Sequence, residues 1–175
     1  MNLNFPNNPT ISWIIRTKNE EKWLGKVLEV LYMQSRLDFE VILIDSGSTD
    51  KTLEIASFYP IRKIIKIDQQ DFGYSYSLNI GISHAWGEFI GIISAHSLPI
   101  SRNWYQDSFK NFSDKNVAGV TGTYSSLPDG AYNEKLWDIH NHINRINKDN
   151  FYMGFQKQDY YKQVSNTNFM FRKSL

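Results

Sequence analysis

A chain of 175 residues with 41% hydrophobic and 15% aromatic content is long enough for one domain with a real core, too short for two comfortable ones, and too apolar to be disordered. With 19 basic and 18 acidic residues the net charge is +1, which exerts no global pull toward nucleic acid, and no basic stripe occurs. The absence of cysteine excludes disulfides, zinc–thiolate centres and thiol catalysis, and suits a reducing cytoplasm.

Residues 1–9 are polar and contain two prolines, without the charged start and apolar core of a signal peptide. No apolar run approaches the ~20 residues needed to span a bilayer, so membrane association is expected to be peripheral at most. The first predicted strand, Ile11 to Arg16, leads through Thr17, Asn19 and Glu20 into an amphipathic helix with Trp23, Leu24, Val27, Leu28 and Leu31 facing inward. The second, Glu40 to Asp45, delivers a carboxylate at its C-terminal end. Ser46, Gly47 and Ser48 then turn the chain, and Thr49 or Asp50 caps a helix that runs to about Tyr59 and is ended by Pro60. A strand at the mouth of a helix with a carboxylate between them is where open α/β sheets hold ligands.

Lys63 to Ile67 reads as a third strand, with Asp68 and Asp71 beyond it. A helix from about Ser75 to Ala85 carries Asn79. Strand four, Glu88 to Ser94, ends on Ser94, Ala95 and His96. A helix with apolar Trp104, Phe109 and Phe112 follows Pro99, and strand five is Val117 to Thr123. The regular βαβα order implies an α/β domain with a mostly parallel sheet and helices on both faces, because right-handed crossovers require the intervening helices. After Tyr124 the pattern weakens. Residues 124–133 read as a loop, Leu136, Ile139, Ile143 and Ile146 recur at helical spacing, 148–165 show no period, and Asn166 to Arg172 alternates like a strand. His140 and His142, two apart on that helix, point to different faces and read as solvated.

Three segments, RTKNE at Arg16–Glu20, DSGSTD at Asp45–Asp50 and SAH at Ser94–His96, occur in the order and at the spacing of family 2 glycosyltransferases. The chain resembles the donor-binding half of that family over residues 10–125, with a weaker echo to the end. The resemblance implies a GT-A (Rossmann-like) fold spanning 1–175 as one nucleotide-sugar-binding domain. About 1–123 would form the donor half, and 124–175 the start of an acceptor side. The string SAHSLP, followed by Trp104 and VAGVTG at Val117–Gly122, looks like the rhamnosyltransferase-like subgroup and points to a thymidine-linked deoxysugar.

On this resemblance Asp45 accepts the N3–H of a uracil or thymine ring, and the turn at Gly47 offers backbone N–H groups nearby. Thr17 and Glu20 contact base and ribose, with helix N-terminal charge matching as the alternative role of Glu20. Arg16 stands where the family commonly has proline. Asn79 orders the donor loop or contacts the nucleotide, with packing as the equal alternative. Most relatives end strand four with two aspartates, the second on a divalent metal; here Ser94 is left to bond a ribose hydroxyl. His96 is left to ligate a divalent ion, manganese more readily than magnesium, or to bond phosphate directly, with a hydrogen-bonded loop histidine as the alternative role.

The resemblance thus implies an inverting transfer of a sugar from a UDP- or dTDP-linked donor to a glycan or lipid-linked hydroxyl. The setting would be polysaccharide biosynthesis in the cytoplasm or at the inner membrane face. Such a reaction needs a base for the acceptor proton. The family's acidic pair lies beyond a strand like the last one here, so the base is expected past Leu175. A catalytically inactive nucleotide-sugar-binding module working with a partner is the alternative. A dinucleotide oxidoreductase is disfavoured because no GxGxxG follows strand one.

Overall fold

In the computed structural model residues 6–99, 101–122 and 168–174 are described. In chain order they form β1 (Ile11–Thr17), α1 (Leu24–Tyr32), β2 (Phe39–Asp45), α2 (Thr52–Ala56), β3 (Lys63–Lys66), α3 (Tyr74–Ser83), β4 (Phe89–Ser94), α4 (Trp104–Phe109), β5 (Gly119–Thr121) and β6 (Asn168–Arg172). The sheet order is β3-β2-β1-β4-β6-β5. β1 pairs in parallel with β2 and β4, and β2 with β3, while β6 runs antiparallel to both β4 and β5.

Strand periodicity sorts the core into two layers. Ile11, Trp13 and Ile15 of β1, with Phe39, Val41 and Leu43 of β2, pack against Leu24, Val27, Leu28 and Leu31 of α1 and against Tyr105 of α4. Ile14, Ile42, Ile44, Ile90 and Ile92 face the opposite way, onto Leu78 of α3. Both faces of β1 and β2 are covered, which is why these strands read as continuous apolar runs. Trp13, fully buried, lies 5.3 Å from Trp104 and 5.6 Å from Tyr105 between ring centroids. Its ring passes over Gly91 of β4 so closely that a Cβ there would sit 2.1 Å from a ring carbon.

At the N-terminal ends of the strands the buried Glu40 forms an ion pair with Arg62. Glu40 also accepts from the Ser12 hydroxyl at 2.6 Å and the Trp86 N–H at 2.6 Å, while Arg62 lies over the Trp86 ring. Nearby, Asp38 takes both forks of Arg36 at 2.6 Å and the Thr10 hydroxyl at 2.5 Å.

The expected mostly parallel sheet with helices on both faces is what the structure has; some element ends and one orientation differ. The last strand does not continue the sheet at an edge: β6 inserts between β4 and β5, placing Met170 opposite Gly91. The helix expected to reach Tyr59 stops at Ala56. There the Ser57 N–H is shared between Leu53 and Glu54 carbonyls, and the chain tightens into turns before Pro60. Val117 and Ala118 lie outside β5 because the Val117 N–H closes a turn onto Asp114. Trp23 is only half-buried, with the Lys22 and Lys26 ammoniums 4.8 and 4.4 Å from the ring centroid, rather than in the core.

Candidate functional site

Parallel strands β2, β1 and β4 end side by side, and the loops that leave β1 and β2 are fastened to each other. Asn19 adopts a left-handed backbone (φ 54°), a conformation asparagine tolerates better than most residues. From there its side-chain oxygen accepts the Thr49 N–H at 2.8 Å, and its own N–H donates to Ser48 Oγ at 2.9 Å. One step along, the Glu20 N–H donates to Thr52 Oγ1 at 2.7 Å and the Glu21 N–H to Asp50 at 3.0 Å, while Glu21 accepts the Lys51 N–H at 3.1 Å. Burial opposes ionisation of Asp50, yet bonds from Thr52 and Glu21 hold its carboxyl below the usual range. Asp50 also accepts from the N–H of Thr52, the first residue of α2, although the N-cap position itself falls to Lys51, whose side chain makes no cap bond.

Asp45 lies beneath this clasp and is only 1% exposed. One carboxylate oxygen accepts the Thr17 hydroxyl at 3.2 Å and the Ser48 hydroxyl at 2.5 Å; the other accepts the N–H groups of Gly47 at 3.2 Å and Ser48 at 3.0 Å. Gly47 takes φ 82°, which a side chain would strain. Four donors occupy the acceptor directions of Asp45, so its carboxylate organises the turn. Thr17 is buried as well, and its carbonyl accepts the Ser46 N–H at 3.0 Å.

Beside the clasp runs a polar chain at the surface. His96 Nδ1 lies 2.9 Å from Glu20 Oε1, and its Nε2 lies 3.0 Å from Ser94 Oγ. The half-exposed imidazole therefore bridges the β1–α1 loop to the end of β4. The Glu20 carboxylate is used here, while its carbonyl accepts the N–H groups of Trp23 and Leu24 at the start of α1. Arg16 is the register partner of Ser94.

Of the residues singled out from sequence, Arg16, Thr17, Glu20, Asp45, Gly47, Ser94 and His96 are gathered at this one edge. Asn79 is not: it sits on an exposed face of α3. Asp68 and Asp71 are exposed beyond β3. His140 and His142 lie outside the described residues. Sequence reasoning missed the clasp itself. Its signal was present in two clusters of small polar residues, TKNE and SGSTD, each placed after a strand.

Among the described residues no three His, Cys, Asp or Glu side chains converge into a metal site. Glu20 and His96 do offer one carboxylate oxygen and one imidazole nitrogen 2.9 Å apart, a donor set that suits manganese when phosphate oxygens and water complete the shell.

The sheet order, the helices on both faces and the loops gathered at the strand ends define a GT-A fold. A sequence model of the family described as Glycosyl transferase family 2 matches residues 12–175, and the chain belongs to that family. Among curated relatives, 4,4'-diaponeurosporenoate glycosyltransferase of Staphylococcus aureus (strain bovine RF122 / ET3-1) is 25% identical over 181 aligned positions, covering 86% of this chain and 47% of the relative. The chain thus spans about half the length of the curated relatives it matches. Among solved structures, the mannosyltransferase PcManGT of Pyrobaculum calidifontis, in complex with GDP-Man and Mn2+, is 27% identical with a TM-score of 0.58. That match covers 71% of this chain and 38% of that one. Residues 1–349 of S. aureus TarS, at 19% identity, give a TM-score of 0.68 over 94% of this chain and 47% of that one, and share the fold. Among the described residues no helix is long and apolar enough to cross a membrane.

Proposed function

We propose that this chain holds the nucleotide-sugar donor of an inverting glycosyltransferase, with the donor lying across the C-terminal ends of β2, β1 and β4. The observation that carries the proposal is the clasp between the β1 and β2 loops with the Glu20–His96–Ser94 chain beside it. A rigid turn there holds a buried carboxylate, and an acid, an imidazole and a hydroxyl remain at the surface to meet ribose and phosphate.

In this scheme Glu20 and Ser94 accept from and donate to ribose hydroxyls, and the backbone at Gly47 borders the base. Asp45 meets a base N–H only by giving up one of its four donors. The Ser48 hydroxyl, on a half-buried residue, is the one a base imide would replace. A divalent ion, held by Glu20 and His96, would supply charge neutralisation for the diphosphate; the Mn2+ bound by the 27% identical mannosyltransferase supports that part. Transfer itself forms a bond from the acceptor hydroxyl to the anomeric carbon as the bond to the diphosphate breaks on the opposite face. The hydroxyl's proton passes to a base that no described residue supplies. A deoxysugar donor of rhamnosyl type accords with the SAHSLP string, and a glycan or lipid-linked hydroxyl is the acceptor class that the family resemblance implies.

The test is a panel of UDP, dTDP, GDP and ADP read by thermal shift, with and without manganese. Stabilisation by at least one nucleoside diphosphate and none by ADP is expected. Equal shifts for all four, or for none, would overturn the donor-site assignment.

A further inference from the structure

Arg16 lies at the C-terminal edge of the sheet without a polar partner among the described residues. No nitrogen of its guanidinium makes a hydrogen bond or ion pair with any described residue, and Nη1 is buried without a hydrogen-bond partner. The contact its guanidinium does make is with Tyr74, whose ring centroid lies 4.6 Å from the guanidinium carbon. Tyr74 is itself 65% exposed at the start of α3, and packs edge-on against Phe72 at 5.1 Å. Other surface arginines here behave differently: Arg36 is forked onto Asp38 and Arg172 donates to three backbone carbonyls.

A guanidinium that gives up water without gaining acceptors is costly, and burial pushes the Arg16 pKa down, opposed by the Tyr74 hydroxyl. An aliphatic residue at this position would have relieved that cost. Instead a planar fork of donors is held next to Ser94, its neighbour on the same face of the adjacent strand, and Ser94 in turn bonds His96. Planar N–H forks match phosphate oxygens in pairs.

We infer that Arg16 is the diphosphate anchor of the donor site, its guanidinium backed by the Tyr74 ring and its free N–H groups directed to phosphate oxygens. This rests on the proposed donor-binding function and adds a charge that does not depend on a metal. Tyr74 stays stacked on the cation, keeping the fork in one plane while its open edge meets the ligand.

The full chain is titrated with UDP, uridine and inorganic pyrophosphate in the presence of a chelator, by calorimetry. The parent is expected to bind UDP at least tenfold more tightly than uridine. Arg16→Met, which keeps the stem packed under Tyr74, should remove most of that ratio and weaken pyrophosphate by a similar factor, leaving uridine unchanged. A UDP-to-uridine ratio within twofold of the parent in a folded Arg16→Met variant would overturn the inference while leaving donor binding intact. If Arg16→Met does not fold, Arg16→Gln is titrated in its place, and the same ratios decide. If the parent binds pyrophosphate through Arg16 but no nucleoside diphosphate more tightly, the anion site stands and the donor function falls. A parent that binds neither pyrophosphate nor UDP without metal overturns the inference.

Discussion

Asp45→Ala tests whether the buried carboxylate builds the turn on which the site stands. The substitution removes the acceptor for four donors: the Thr17 and Ser48 hydroxyls and the N–H groups of Gly47 and Ser48. Hydrogen bonds to a charged group contribute about 1.5–3 kcal/mol each, but not all four are lost outright. Gly47 is exposed and Ser48 half-buried, so their N–H groups regain water, and the Thr17 hydroxyl keeps the Ile44 carbonyl at 3.4 Å. A net loss of about 3 kcal/mol follows, or about 6–12 °C in melting temperature for a chain of this size. Asp45→Asn keeps the shape but turns a donor toward donors, and should destabilise by a smaller amount. Ser48→Ala should cost about 1 kcal/mol and leave one lobe of the carboxylate open. Thermal and urea melts give the stabilities, and the nucleotide panel gives the consequence: Asp45→Ala loses discrimination among bases, and Ser48→Ala keeps it. An Asp45→Ala variant melting within 2 °C of the parent would refute the view that this carboxylate organises the clasp.

Gly91→Ala should destabilise by about 1–3 kcal/mol, because the new methyl meets the Trp13 ring where nothing can yield; a melt matching the parent's would show the two strands adjusting instead. Arg62→Ala leaves Glu40 charged and buried on its Ser12 and Trp86 donors, a loss of about 3–5 kcal/mol, yet nucleotide affinity of the folded fraction should not change since that pair is at the far end of the strands. Burial alone would raise the Asp38 carboxyl, but its bonds from Arg36 and Thr10 outweigh this and hold it below its usual value. Its contribution is therefore full above the unfolded value near pH 4 and fades as the pH falls through the folded one. Arg36→Ala should flatten the acid limb of the stability profile, measured by urea melts from pH 2 to 6. Chelation should lower nucleotide affinity in the parent and leave His96→Ala unchanged; an equal response in both proteins removes His96 from metal binding.

Most of the fold was legible because the decisive signals are local. Val41 to Ile44 is apolar on both faces, the mark of a strand covered on both sides, and Leu24, Val27, Leu28 and Leu31 repeat at helical spacing. Asp45 was legible as a site residue because it follows such a strand and precedes a turn. What it bonds was not. Hydrogen bonds between Asn19 and Thr49 or between Glu20 and Thr52 join residues about thirty apart, and nothing in either segment alone specifies its partner. The place of β6 was hidden for the same reason: alternation in Asn168–Arg172 announces a strand, but insertion between β4 and β5 depends on Gly91 leaving room for Trp13 on one side and on Met170 filling that layer. Arg16 was visible only as a departure from a family pattern, and its lack of a hydrogen-bond partner among the described residues is a fact of three dimensions.

The charges at the ligand edge give the site its logic. Asp45 spends its acceptors inward, on the turn, and would reach a base N–H only by releasing the Ser48 hydroxyl. Glu20 is matched by His96, which leaves that pair adaptable: the imidazole can stay on the carboxylate, or both can turn to a shared cation. Among the described residues gathered at this edge, Arg16 holds a permanent charge with unused donors. A dianionic diphosphate placed there would meet one fixed cation and one adjustable pair. Binding would then persist at reduced strength without metal and rise when metal is added, whereas a site dependent wholly on a metal ion would bind nothing once chelated.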